Sequence, residues 1–255
     1  MAIKIIMGSF GVGKTHWIQE DIKQSNKPSY YVCPKTETFP LDGAFLQGQD
    51  SDLSIADSQN ISELIDLGLE NNVYIEIPEY IDIENTLLFF DPLNAEKIAI
   101  VHTAENSEQW QQLAENIIVN EQINIENELS SFANLQIHRA GLTGEILDFT
   151  SLETFWQELV GGAYGEILRA KGIFNIMDGQ CIYADYRQNG LNLNFRPLNL
   201  PLSLEGRPTH FSGLEIIGCN LDKPAIANTI GCFCLPDDIV QFYQQQVKQS
   251  LSHSY

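Results

Sequence analysis

Apolar and polar positions in the first half of the chain switch repeatedly between strand and helix rhythms. Ile3-Lys4-Ile5-Ile6-Met7 reads as a buried strand, and the residues after Lys14 keep helical spacing to about Ser25, where Asn26-Lys27-Pro28 stops the run. Tyr30-Tyr31-Val32-Cys33 reads as a second strand. A turn-rich stretch with Pro34, Pro40, Asp42 and Gly43 follows, and then polar residues over 47–59. Residues 61–69 have helical spacing, Val73-Tyr74-Ile75-Glu76-Ile77 is strand-like behind Asn71-Asn72, and 97–101 and 117–119 are further strands separated by helix-compatible polar segments. Strands alternating with helices predict a mainly parallel sheet covered on both faces.

After about Thr150 the texture changes. Residues 152–168 predict one or two amphipathic helices interrupted by Gly161-Gly162, and short strand-like runs follow at 172–177, 181–186, 191–195 and 214–218. Asp178-Gly179 and Asn189-Gly190 are hairpin dipeptides, suited to turns that need positive φ. Pro236-Asp237-Asp238 starts a Gln-rich terminal helix. The expected organisation is an α/β domain over 1–150 and a smaller α+β domain over 151–255.

Composition narrows the function. Fourteen Lys and Arg against 34 Asp and Glu give a net charge of −20, which repels nucleic-acid backbones and anionic lipid surfaces. A small phosphate site is still compatible with that field, because backbone N–H groups and one lysine dominate within a few ångströms. The five cysteines form an odd, sparse set, read as reduced thiols. The short apolar run before Gly8 is too brief for a signal segment, and no stretch approaches the roughly 20 apolar residues that cross a bilayer. The expectation is a cytoplasmic chain with no nucleic-acid or membrane partner.

The chemistry concentrates in Gly8-Ser9-Phe10-Gly11-Val12-Gly13-Lys14-Thr15, which matches G-x-x-x-x-G-K-[ST] at every fixed position. It follows an apolar strand and opens a helix, the context that aims N–H groups and a helix dipole at phosphates. The glycines let the backbone approach the ligand, Lys14 can reach the β- and γ-phosphates, and Thr15 can offer its hydroxyl to Mg²⁺. A plain glycine-rich turn would not explain the lysine and hydroxyl after the last glycine. His16 follows directly and is a weaker phosphate candidate.

Glu76 ends an apolar strand, where ligands of open α/β sheets bind, and is the candidate for holding the metal or its water. Asp42 and Glu37 lie in the loop after the second strand, where a γ-phosphate sensor is expected; either could position magnesium or water. Glu79, Asp82 and Glu84 read as a solvated loop face. Cys232-Phe233-Cys234 offers too few ligands for a closed zinc site and reads as two thiols on opposite faces of a strand. His102, His138, His210 and Cys33 lack metal-binding spacing and read as structural.

The order of these segments resembles the CobW-like family of P-loop GTPases, relatives of the accessory GTPases that deliver nickel to hydrogenase and urease. Residues 34–46, with Glu37 and Asp42, are similar to the family's first switch; residues 73–76 look like its strand ending in glutamate. Ile98-Ala99-Ile100-Val101-His102-Thr103-Ala104-Glu105-Asn106 is similar to its next strand, with His102 where aspartate is common. Leu168-Arg169-Ala170-Lys171-Gly172, Leu214-Glu215-Ile216-Ile217-Gly218 and Leu221-Asp222 resemble its C-terminal domain. The resemblance implies GTP, or ATP, with Mg²⁺ as cofactors, nucleotide hydrolysis, and a metallochaperone-like role with a client protein in metal or cobalamin-type cofactor assembly.

Two departures qualify what it implies. The family's C-x-C-C metal motif has no counterpart, since no cysteine occurs between Cys33 and Cys181. The base-reading N-K-x-D motif falls on Asn120-Glu121-Gln122-Ile123, where only Asn120 matches, and a pocket without its polar partner loses discrimination. The base is therefore open between guanine and adenine. A nucleotide-regulated binding module with little turnover is the alternative reading, and an ATP-using kinase a more distant third.

Overall fold

The computed structural model describes residues 3–50, 52–78, 80–103, 107–108, 110–120, 134–188 and 193–252. The chain divides into two units, Met1–Ser131 and Phe132–Tyr255.

The first unit is built on a six-stranded, all-parallel sheet: β1 (Ile3–Met7), β2 (Ser29–Val32), β3 (Leu53–Ile55), β4 (Asn72–Glu76), β5 (Glu96–Val101) and β6 (Asn116–Val119), in the order β3-β2-β4-β1-β5-β6. Helices α1 (Lys14–Lys23), α2 (Leu41–Gln47), α3 (Ile61–Glu70) and α4 (Ile83–Phe90) connect them, as short crossovers between parallel strands require. Alternation along the central strands sorts their faces. Ile3, Ile5, Met7, Val73 and Ile75 enter one core cluster, while Tyr74 and Glu76 point to the other face, where Tyr74 donates to Asp21 of α1 at 2.7 Å. On α1 the buried positions Lys14, Ile18 and Ile22 recur every four residues, giving the helix one stripe toward the sheet.

Two elements of this unit differ from the sequence expectation. The polar stretch 47–59 contains β3, a three-residue strand with two exposed positions pairing only with β2, too short to show a period. The turn-rich stretch contains α2: Pro40 precedes its first turn, and burial of Leu41, Phe45 and Leu46 overrides the turn signals of Asp42 and Gly43.

The second unit carries a five-stranded antiparallel sheet, β10-β9-β8-β11-β7, from β7 (Gln136–Gly141), β8 (Glu166–Asn175), β9 (Cys181–Arg187), β10 (Leu193–Pro197) and β11 (Gly213–Cys219). Helices α5 (Phe149–Val160) and α6 (Lys223–Cys232) contribute Phe155, Trp156, Leu159, Ile226 and Ile230 to its core, and α7 (Asp237–Ser252) closes the described chain. The expected boundary at 150 differs from this division, because β7 pairs with β11 and so brings 136–141 into the second sheet. Helical structure stops at Val160: Gly162 adopts φ 87°, and Leu168 lies in β8, drawn into strand by neighbours on both sides. Asp178-Gly179 does turn β8 into β9, whereas Asn189-Gly190 lies outside the described residues. Cys232 and Cys234 are not strand partners. Cys232 ends α6, and Cys234 donates back to Ile230 at 3.4 Å.

Candidate phosphate and cation site

The loop between β1 and α1 has the backbone its glycines foreshadow. Gly8 leaves β1 at φ 140°, and a Cβ there would stand 2.2 Å from the carbonyl oxygen of Ile100 on β5, so the loop passes the sheet where only glycine fits. Gly13 caps α1 at φ 95°, in the left-handed region. The Lys14 side chain is buried and folds back along the loop, its ammonium donating to the carbonyls of Gly8 at 2.7 Å and Ser9 at 3.1 Å. An ammonium group is thus held on two loop carbonyls beside the N-terminus of α1.

Thr15, on the first turn of α1, faces Glu76 at the end of β4. Its Oγ lies 3.1 and 3.0 Å from the two carboxylate oxygens, which share its single proton. Glu76 is only 6% exposed, and its Oε2 also accepts the hydroxyl of Tyr31, on β2, at 3.0 Å. Asp42, in the first turn of α2, stands close enough that its charge acts on Tyr31 and Cys33. Burial above all, then Cys33, Glu76 and Asp42, push the Tyr31 hydroxyl well above the usual range, so it remains a neutral donor. Burial and the same two carboxylates raise the Cys33 thiol.

The fold therefore brings together Lys14, Thr15 and Glu76, with Asp42 near enough for its charge to act on Tyr31 and Cys33. Asn120, just after β6, belongs with them: its side-chain amide donates to the carbonyl of Val12 at 2.9 Å. Ser9 contributes its carbonyl, and Phe10, Gly11 and Val12 complete the loop. Two candidates fall elsewhere. His16 is exposed on the outer side of α1 and acts on Glu20, one turn on. Glu37 is exposed and is held by Ser58 Oγ at 2.9 Å and its own loop's Lys35 N–H at 3.3 Å. The reason is local: a carboxylate two residues beyond a turn N–H finds that donor before a distant site.

Asp82 and Glu84 behave as a solvated face, with Asp82 capping α4 through Asn85 at 3.0 Å. Glu79, the segment 104–106, and Glu121, Gln122 and Ile123 lie outside the described residues. Among the described residues no group of three or more His, Cys, Asp and Glu is gathered to hold a metal. Tyr31 escaped the sequence reading of the site. Its signal was one of two adjacent tyrosines in a short strand, where a buried hydroxyl requires a partner.

An all-parallel sheet with a glycine loop, lysine and hydroxyl residue between its first strand and helix is the P-loop NTPase fold. The chain matches no family model and no curated protein. Among solved structures it is similar to a Zn(II)-bound YjiA GTPase from E. coli, at 12% identity and TM-score 0.33, over 92% of this chain and 99% of that one. It is likewise similar to a Zn(II)-bound triple mutant of YjiA GTPase, at 12% identity and TM-score 0.34 with the same coverage. No helix among the described residues is long and apolar enough to cross a membrane.

Proposed function

We propose that this chain binds the triphosphate of GTP or ATP with Mg²⁺ and hydrolyses it. The observation that carries the reading is the convergence of Lys14, Thr15 and Glu76 at the N-terminus of α1, with Thr15 within 3.1 Å of both Glu76 oxygens. A hydroxyl and a carboxylate are hard oxygen donors of the kind Mg²⁺ takes. Magnesium, when bound, supplies positive charge against the β- and γ-phosphates.

In this reading Lys14 and the amides of residues 8–15 bind and orient the phosphates, Thr15 and Glu76 hold the cation, and Glu76, assisted by Asp42, orients the attacking water. Asn120 supports the loop beside the base. The family resemblance supplies the wider setting, metal or cofactor assembly with a client protein. Without a C-x-C-C motif, the chain would act there through nucleotide-dependent contact with the client and not by carrying metal on thiolates.

Equilibrium binding of GTP, ATP and GDP with Mg²⁺, measured by calorimetry on the wild type and Lys14→Ala, tests the proposal. The expected result is binding that weakens about tenfold or more in the variant, as loss of a charge-assisted contact implies. No affinity for any of the three, or equal affinity in both proteins, would overturn it. A second reading, a nucleotide-regulated binding module with little turnover, is favoured by the engagement of the Glu37 carboxylate with Ser58 and its own loop. Phosphate release that is lost in Glu76→Gln while nucleotide binding persists would decide against that reading.

A further inference from the structure

We infer that Tyr31 is a positioning residue for the cation station formed by Thr15 and Glu76, an assignment that rests on the nucleotide-binding reading above. Tyr31 is 2% exposed and donates to Glu76 Oε2 at 3.0 Å, the oxygen that also lies 3.0 Å from Thr15 Oγ. The three side chains come from β2, β4 and α1, so one hydrogen-bond chain ties three elements of the sheet and helix together.

The placement follows from register. Tyr31 pairs with Tyr74, and Glu76 lies two positions further along β4, on the same face of the sheet, which is the diagonal distance a tyrosine spans. The ring is held from above as well. A Cβ on Gly43 of α2 would stand 3.4 Å from Tyr31 Cδ1, so the small residue lets the helix come close over the phenol.

An ionised carboxylate has about four lone-pair sites. The phenol occupies one on Oε2 and fixes the rotamer, which aims the remaining sites toward Thr15 and whatever joins it there. A partner that orients a ligating carboxylate in this way typically accounts for about 10- to 100-fold in metal affinity. Phenylalanine would fill the same space and take this one donor away from Glu76 Oε2.

The test is the Mg²⁺ dependence of binding to non-hydrolysable GTP and ATP analogues, followed by calorimetry for the wild type, Tyr31→Phe, Glu76→Gln and the double variant. Tyr31→Phe is expected to leave affinity in EDTA unchanged and to need about tenfold more Mg²⁺ for half of the tightening. In the Glu76→Gln background it should add no further shift. Tyr31→p-aminophenylalanine, which keeps the shape and an N–H donor, should return the wild-type Mg²⁺ dependence, and stands in where Tyr31→Phe fails to fold. Unchanged Mg²⁺ dependence in Tyr31→Phe, equal weakening with and without Mg²⁺, or no recovery with the amino variant would each overturn the assignment while leaving nucleotide binding intact. A wild type that binds neither analogue removes the functional reading and this inference together.

Discussion

The side-chain amide of Asn120 donates a 2.9 Å hydrogen bond to the carbonyl of Val12, while its backbone N–H donates to Val101 at 2.8 Å. The residue after β6 is thereby pinned to β5 and holds the middle of the phosphate loop. Asn120→Ala removes the donor and leaves a loop carbonyl without it, which should cost about 1 kcal/mol of stability and weaken nucleotide binding about threefold to tenfold. Urea unfolding and calorimetry check the two effects. Asn120→Asp, which has the shape but no N–H donor, should reproduce the loss; wild-type behaviour in both variants would show that the bond does not organise the loop.

Gly8 is the position where substitution should be most costly. A methyl group there meets the Ile100 carbonyl at 2.2 Å and the Val12 side chain at 3.0 Å, and φ 140° is a conformation that L side chains rarely adopt. Backbone strain and overpacking together predict about 3 kcal/mol or more of destabilisation for Gly8→Ala. The midpoint of urea unfolding should fall with little change in slope. Because the clash is with backbone of the neighbouring strand, no side-chain rearrangement can relieve it, and a midpoint close to the wild type would contradict the packing described.

How much of this was legible in the residues depends on scale. Ile3 to Met7, Val73 to Glu76 and the glycine-lysine loop announce themselves because a buried strand and a phosphate loop each use contiguous residues with strong local preferences. Leu53 to Ile55 and Gln136 to Gly141 did not, since edge strands with partly exposed side chains carry no period and take their structure from β2 and β11. The same distinction runs through the site. Lys14 and Thr15 are adjacent in sequence, and Glu76 stands at a strand end, so each has a local signature. Tyr31, by contrast, meets Glu76 across 45 positions through strand register alone. Glu37 sits at a suggestive place in the chain, and in the structure its carboxylate is engaged by Ser58 and its own loop.

Two histidines of the second unit should give the protein an acid-side weakness. Burial holds the rings of His138 and His210 below the ordinary histidine value, with Lys223 adding to the effect at His138. His210 Nε2 also lies 2.6 Å from Asn175 Oδ1. An unfolded histidine takes up its proton near pH of about 6.5, so below that the unfolded chain binds more protons than the folded one. Stability from these groups is therefore full above about pH 6.5 and is lost as pH falls through their lower folded values. Melting curves at a series of pH values should show a decline on the acid side, and His138→Gln with His210→Asn should flatten part of it. A decline of unchanged steepness in the double variant would place its origin in other groups.

The thiols provide a probe of the carboxylate pair that needs no nucleotide. Cys232 is exposed at the end of α6, whereas burial pushes Cys181 up to about 12 and, with Glu145 adding and Arg207 opposing, Cys234 up to about 11. Cys33 is raised further still, by burial first and then by Glu76 and Asp42. Since the thiolate is the nucleophile, each added unit removes about nine-tenths of the reactive form. Brief treatment with iodoacetamide at about pH 8, a little below the ordinary thiol value, should therefore label Cys232 well before the others, with Cys33 among the last. Asp42→Asn combined with Glu76→Gln removes the two charges but not the burial, so Cys33 should gain reactivity while Cys181, which feels neither carboxylate, stays as it was. Mass spectrometry of the labelled peptides reads both outcomes. Equal gains at Cys33 and Cys181 would mean that the variant had loosened the fold, and no gain at Cys33 would mean that the two carboxylates do not act on it as their placement around Tyr31 requires.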